Sequence, residues 1–171
     1  MGMDVYGKNA TNEMGDYFRN NVWWWRPLWD YCCQEAPELC GGVQGHDNSG
    51  DGLDEAGSEE LANILYEQLQ NGNTNKYYTV FYEEMKQLPL TPCDTCNATG
   101  TRTDKVAIEY GMHDKKLSDE MATLVGREFG WCNACDGLGK TKPFLSNYHF
   151  SVENVQEFVL FLRSCGGFEI C

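Results

Sequence analysis

Cys93–Gly100 reads CDTCNATG, and Cys132–Gly139 reads CNACDGLG. Each segment sets two cysteines around a two-residue spacer and follows them with glycine. A C-x-x-C turn brings both thiolates to one side of a metal without straining the backbone, and two such turns complete a tetrahedral shell of the soft ligands that zinc prefers. The expected ligands are Cys93, Cys96, Cys132 and Cys135, holding one zinc per chain. Zinc is favoured over iron because nothing in the sequence points to redox work. Four thiolates close the shell against water, so the site is expected to be structural, with no catalytic residues of its own. The competing possibility, a thioredoxin-like dithiol, would place one C-x-x-C at a helix start instead of two in succession.

The surrounding chain is long enough, at 171 residues, for one domain with a real core, and its 42% hydrophobic and 13% aromatic content exclude a disordered class. No apolar run approaches the length of a membrane span, and MGMDVYGKNA lacks the basic-then-apolar order of an export signal. A reducing, cytoplasmic setting is therefore expected, in which Cys32, Cys33, Cys40, Cys165 and Cys171 serve as small hydrophobes or idle thiols. With 26 acids against 13 bases the formal charge is −13. Such a field repels phosphate backbones, and neither cysteine turn carries a Lys/Arg cluster, so nucleic acid is not the expected partner.

Periodicity places the elements. Asp4–Tyr6 begins an extended piece that Gly7 ends. Pro27 disfavours the helical region for the residue before it, which predicts Val22–Trp25 as extended and a helix from Pro27 to about Ala36, stopped by Pro37. A helix capped by Ser58 carries Leu61, Ile64, Leu65 and Leu69 on one stripe, and another over about 75–88 ends at Pro89. Val106, Ile108 and Tyr110 alternate as in a half-buried strand, LSDEMATLVG reads as a short helix capped by Ser118, and PFLSNYHFS reads as a strand. Ser151 caps a final helix with a Val152, Val155, Phe158, Val159 and Leu162 stripe, and FEIC closes the chain as a strand. The expected architecture is α+β, a single domain over 1–171: three to four helices on a small sheet, with the zinc-tied subregion at about 91–143.

CNACDGLG resembles the C-x-x-C-x-G-x-G repeat of the DnaJ-type cysteine-rich zinc domain in full, and CDTCNATG resembles it except that Ala98 replaces the inner glycine. The resemblance implies that the two turns act as knuckles sharing one zinc between Cys93, Cys96, Cys132 and Cys135. Two repeats stand where that family has four, and no His-Pro-Asp signature is present, so co-chaperone activity is not implied. The remainder, with YFRNNVWWWRPLWDYC and FLRSCGGFEIC, is similar to small bacterial and phage proteins.

Two other constellations invite a ligand. Trp23, Trp24, Trp25 and Trp29 beside Arg26 could form an aromatic cleft, although alternation along an extended segment favours a buried sheet or an interface. Asp47–Gly52, DNSGDG, fits the first half of a calcium loop through Asp47, Ser49 and Asp51, then fails at Asp54 and Ser58, so calcium is not expected. His46 beside Asp47 and Asp51 is the best-placed histidine, yet no hydrolase or phosphate-cradling motif accompanies it. The sequence thus points to a small acidic zinc-stabilised protein, non-enzymatic, that binds another protein, a basic one suiting its acidic surface, as a phage or bacterial accessory factor would. The alternative is a small-molecule or nucleotide-binding protein, an enzyme included, using the tryptophans and the glycine/aspartate loop.

Overall fold

A computed structural model describes residues 2–171. The fold is α+β. Strands β1 (Gly2–Gly7), β2 (Tyr17–Asn21) and β5 (Phe168–Ile170) form an antiparallel sheet in the order β2-β1-β5, and β3 (Thr91–Pro92) pairs with β4 (Lys140–Thr141) in a separate ribbon. The helices are α1 (Glu13–Asp16), α2 (Val22–Glu35), α3 (Pro37–Cys40), α4 (Glu55–Gln70), α5 (Asn73–Gln87), α6 (Lys105–Glu109), α7 (Asp119–Val125) and α8 (Val152–Leu162). Four of them, α2, α4, α5 and α8, exceed ten residues. Among the described residues no helix is long and apolar enough to cross a membrane.

The chain divides into two compact units. The first takes residues up to Lys86 together with Asn147–Cys171, and the second is Gln87–Ser146, which contains the expected zinc-tied subregion. In the first unit Met3 and Val5 of β1, Phe18 of β2, and Phe168 and Ile170 of β5 turn inward. They join Trp25, Leu28, Trp29 and Tyr31 of α2, Leu61 and Leu65 of α4, and Val155, Phe158, Phe161 and Leu162 of α8. The expected final helix and final strand are therefore present, with Ser151 accepting the Asn154 N–H as cap.

Three expected elements differ. Val22–Trp25 is helical, because the Asn21 side chain accepts the N–H groups of Trp23 and Trp24 and starts α2 five residues before Pro27. Pro27 has no N–H to offer the Trp23 carbonyl one turn back, and that carbonyl accepts the His149 N–H at 2.9 Å instead. A position that would break a free helix is thus used to hold a neighbouring segment. The expected strand at Val106–Tyr110 is mostly α6, since Asp104 caps it through the Ala107 N–H. Ala107 is fully buried while Val106, Ile108 and Tyr110 are at least half exposed, so the alternation marks an outer face. Phe144–Asn147 forms a 3-10 turn where a strand was expected. A smaller shift affects α4, which begins at Glu55 because Asp54, not Ser58, caps it.

Candidate metal centre

The second unit builds its centre from two copies of one turn, offset by 39 positions. In the first, the Ala98 and Thr99 N–H groups donate to the carbonyls of Cys93 and Cys96 at 2.9 and 3.0 Å. In the second, Gly137 and Leu138 donate to those of Cys132 and Cys135 at 3.0 and 2.8 Å. Each turn then aims a backbone N–H at its second sulfur, Gly100 to Cys96 Sγ and Gly139 to Cys135 Sγ, both at 3.2 Å. Such donors stabilise a thiolate.

The glycines have a steric cause. Gly100 and Gly139 sit at φ +74°, and a Cβ at Gly139 would lie 2.3 Å from the Ala98 carbonyl oxygen. Ala98 itself, the one departure from the repeat, is held at φ +62° where its counterpart Gly137 has +77°. An L-residue there costs on the order of 1–2 kcal/mol.

All four sulfurs are buried and lie within 4.8 Å of one another. Cys93 Sγ is 3.9 Å from Cys132 Sγ, and Cys96 Sγ is 3.7 Å from Cys135 Sγ. Ligands about 2.3 Å from a tetrahedral ion stand about 3.8 Å apart, so the arrangement fits one thiolate-bound metal ion. Burial opposes ionisation of the Cys93 thiol, but the backbone N–H groups of Cys96 and Thr95 and the thiols of Cys96 and Cys135 outweigh it and lower the group to about 7. Burial pushes Cys135 up to about 12 and also raises Cys132. A metal ion loaded here would have to displace protons, and its retention would fall as pH falls.

Two arginines that spacing alone does not reveal hold the turns together. Arg127 Nη2 donates to the carbonyls of Gly100 and Gly137 at 2.8 and 2.5 Å, one from each turn. Arg102 forks onto Asp104 at 2.7 and 2.9 Å and reaches Asn133 Oδ1 at 2.8 Å, tying the stretch after the first turn to the second. No motif marks either residue, because their acceptors are mostly backbone or distant in sequence.

The other sequence-predicted residues fall in the first unit and divide in two. Trp25 and Trp29, one helical turn apart, stack at 5.8 Å and are buried. Trp23 and Trp24 are half-buried against Tyr148 and His149, with ring centroids at 5.3 and 5.1 Å, and Arg26 donates to the Tyr148 hydroxyl at 3.1 Å. The glycine/aspartate loop meets the tryptophans through packing. Trp25 Nε1 donates to the Gly45 carbonyl, and a Cβ at Gly45 would fall 2.0 Å from Trp29 Nε1, so only glycine allows that approach.

Asp51 accepts the N–H groups of Gln44 and Gly52, which hold its carboxyl below the usual range, and its backbone pairs with Ile170 of β5. His46 lies 3.0 Å from Asp30, not against Asp47 or Asp51, and Asp47 is exposed. Of the remaining thiols, Cys32, Cys40 and Cys165 are core groups that burial raises, whereas Cys33 is half-buried and Cys171 is exposed. Among the described residues only the Cys93, Cys96, Cys132 and Cys135 set clusters as metal ligands.

Comparison with known proteins finds no match to this chain among family models, curated proteins or solved structures.

Proposed function

We propose that this is a small metal-stabilised binding protein that acts by engaging another protein, with zinc as the metal and a basic surface on the partner. The supporting observation is the partition of charge. Eighteen of the 26 acids but only six of the 13 bases lie in the first unit, a formal −12, whereas eight acids and seven bases leave the second at −1. A field that concentrated steers a cationic partner and rejects phosphate backbones.

The second unit supports the same reading differently. Its four thiolates leave no open ligand position for a water nucleophile, so the zinc serves folding. The turns are then knuckles of the DnaJ type put to structural use, and a bacterial or phage accessory factor is the setting that suits such a protein.

The test is a binding panel read by fluorescence anisotropy at several salt concentrations, with a basic peptide, an acidic peptide and duplex DNA as probes. The proposal predicts saturable binding of the basic peptide that weakens as salt rises, and none of the other two. Tighter binding of DNA, or a hydrolysis or transfer reaction that depends on His46, would contradict it.

A further inference from the structure

The first unit carries a cleft of about 490 Å³ between the end of α2 and the side of α5 that bears Tyr77 and Phe81. Tyr77 and Phe81, one helical turn apart on α5, form its aromatic floor, their ring centroids 6.4 Å apart and their planes within 26°. Behind them stand Tyr31 and Phe150, so the floor is fixed by the core. Val80 adds an apolar edge that is 55% exposed. Glu35 from α2 and Glu84 from α5 supply carboxylates. Burial raises the Tyr77 hydroxyl, and the negative charges of Asp30, Glu84 and Glu35 raise it further, so the floor lies in their combined field.

Carboxylates beside stacked aromatic faces match one side chain better than any other. A guanidinium is planar and weakly hydrated, stacks on aromatic rings, and donates to a carboxylate through a rigid fork. An ammonium is compact and more strongly hydrated, and gains less from the floor. The volume lies within the range of ligand sites and leaves room for backbone on either side of one arginine. Gln34 already donates to one Glu35 oxygen at 3.1 Å, which leaves the second oxygen for an incoming group. Lys76, held at 3.0 Å by Asn73 Oδ1, is the one cation in the cleft lining and opposes a cationic guest.

We propose that this cleft receives an arginine side chain of the protein partner, with Glu35 and Glu84 as acceptors and Tyr77 and Phe81 as the stacking floor. The proposal rests on the reading of the first unit as the surface for a basic protein and gives that surface a centre.

Fluorescein-labelled nona-arginine and nona-lysine, titrated at about 0.15 M salt where long-range attraction is screened, provide the test. The variants are Glu35→Gln with Glu84→Gln, a control pair Glu59→Gln with Glu60→Gln on α4 that removes equal charge outside the cleft lining, and Lys76→Gln. Circular dichroism confirms that each variant folds. The cleft pair should weaken nona-arginine by about tenfold or more, the order of two lost charge-assisted hydrogen bonds, and the control pair by about twofold. Lys76→Gln should tighten it, and nona-lysine should bind more weakly than nona-arginine and respond less to the cleft pair. Equal weakening by the two pairs would overturn the cleft while leaving a general acidic docking surface. Absence of nona-arginine binding to the parent protein would overturn both.

Discussion

Twenty-three buried apolar side chains form the interior of the first unit, whereas the second, over sixty residues, buries only Ala107 and Leu117 beyond its four cysteines. The contrast extends to the surface. Among the described residues, nine of the sixteen large apolar side chains that remain exposed, Tyr110, Leu124 and Phe144 foremost among them, belong to the second unit, which is about a third of the chain. At that size a chain buries too small a fraction of its surface for area alone to offset its conformational entropy, and a metal or disulfides take over. Stacked and edge-on packing among Trp25, Trp29, Phe158 and Phe168 in one unit is thus matched by four sulfurs in the other. Sequence hydrophobicity alone does not reveal this, because the second unit has apolar residues and leaves them outside.

Metal removal should break the comparison most sharply. Structural zinc contributes on the order of 10 kcal/mol of apparent folding energy, so a strong chelator should unfold the second unit and leave the first folded on its own interior. Limited proteolysis mapped by mass spectrometry should then cut within 87–146 and spare α2 and α8. Uniform cleavage across the chain would mean that the units do not have separate sources of stability.

The converse substitution, Trp25→Ala, empties a fully buried site and should cost about 3–5 kcal/mol in chemical denaturation of the first unit. Its zinc content should stay at the parent level. Zinc lost in step with the core would remove the distinction.

Arg127→Met asks how much the second unit owes to residues outside the cysteine cluster. Partners that orient ligands typically change metal affinity by about 10–100-fold, and Arg127 clamps one carbonyl from each turn. Competition against a chromophoric chelator should show a loss in that range, with Arg127→Lys recovering less than half of it on a logarithmic scale because the shorter lysine stem does not bring its ammonium to the Nη2 position that meets both carbonyls. The smallest effect belongs to Ala98→Gly, which relieves a left-handed L-residue and should stabilise the zinc-loaded protein by about 1 kcal/mol in denaturant melts. Gly137→Ala should shift stability the opposite way.

How much could be read from sequence follows the same division. The cluster of four cysteines was legible because a C-x-x-C turn is set by local geometry, and the doubled spacing left few alternatives. The α8 stripe and the β5 tail were legible from periodicity and a serine cap. What failed was wherever a cap or a distant partner overrode a local preference. Asn21 initiates α2 before Pro27, and the His149 N–H replaces the missing proline donor at the Trp23 carbonyl. No window around Trp23–Trp25 contains that donor. Asp104 likewise turns an alternating stretch into α6, with its carboxyl held low first by Arg102. His46 looked like a partner of its sequence neighbours, yet Asp30 on α2 is the residue the fold sets beside it. Arg127 could not be read at all, since what it recognises is a pair of turns brought together by the fold, and the reach of Arg102 past its neighbour Asp104 to Asn133 was hidden for the same reason.

The central proposal is that one zinc shared by Cys93, Cys96, Cys132 and Cys135 replaces a hydrophobic interior in the second unit. Elemental analysis by mass spectrometry, on the purified parent and on Cys135→Ser, tests it most directly. The account predicts one zinc per chain in the parent and its loss in the variant. A parent without zinc, or zinc that persists in a stably folded Cys135→Ser protein, would contradict it.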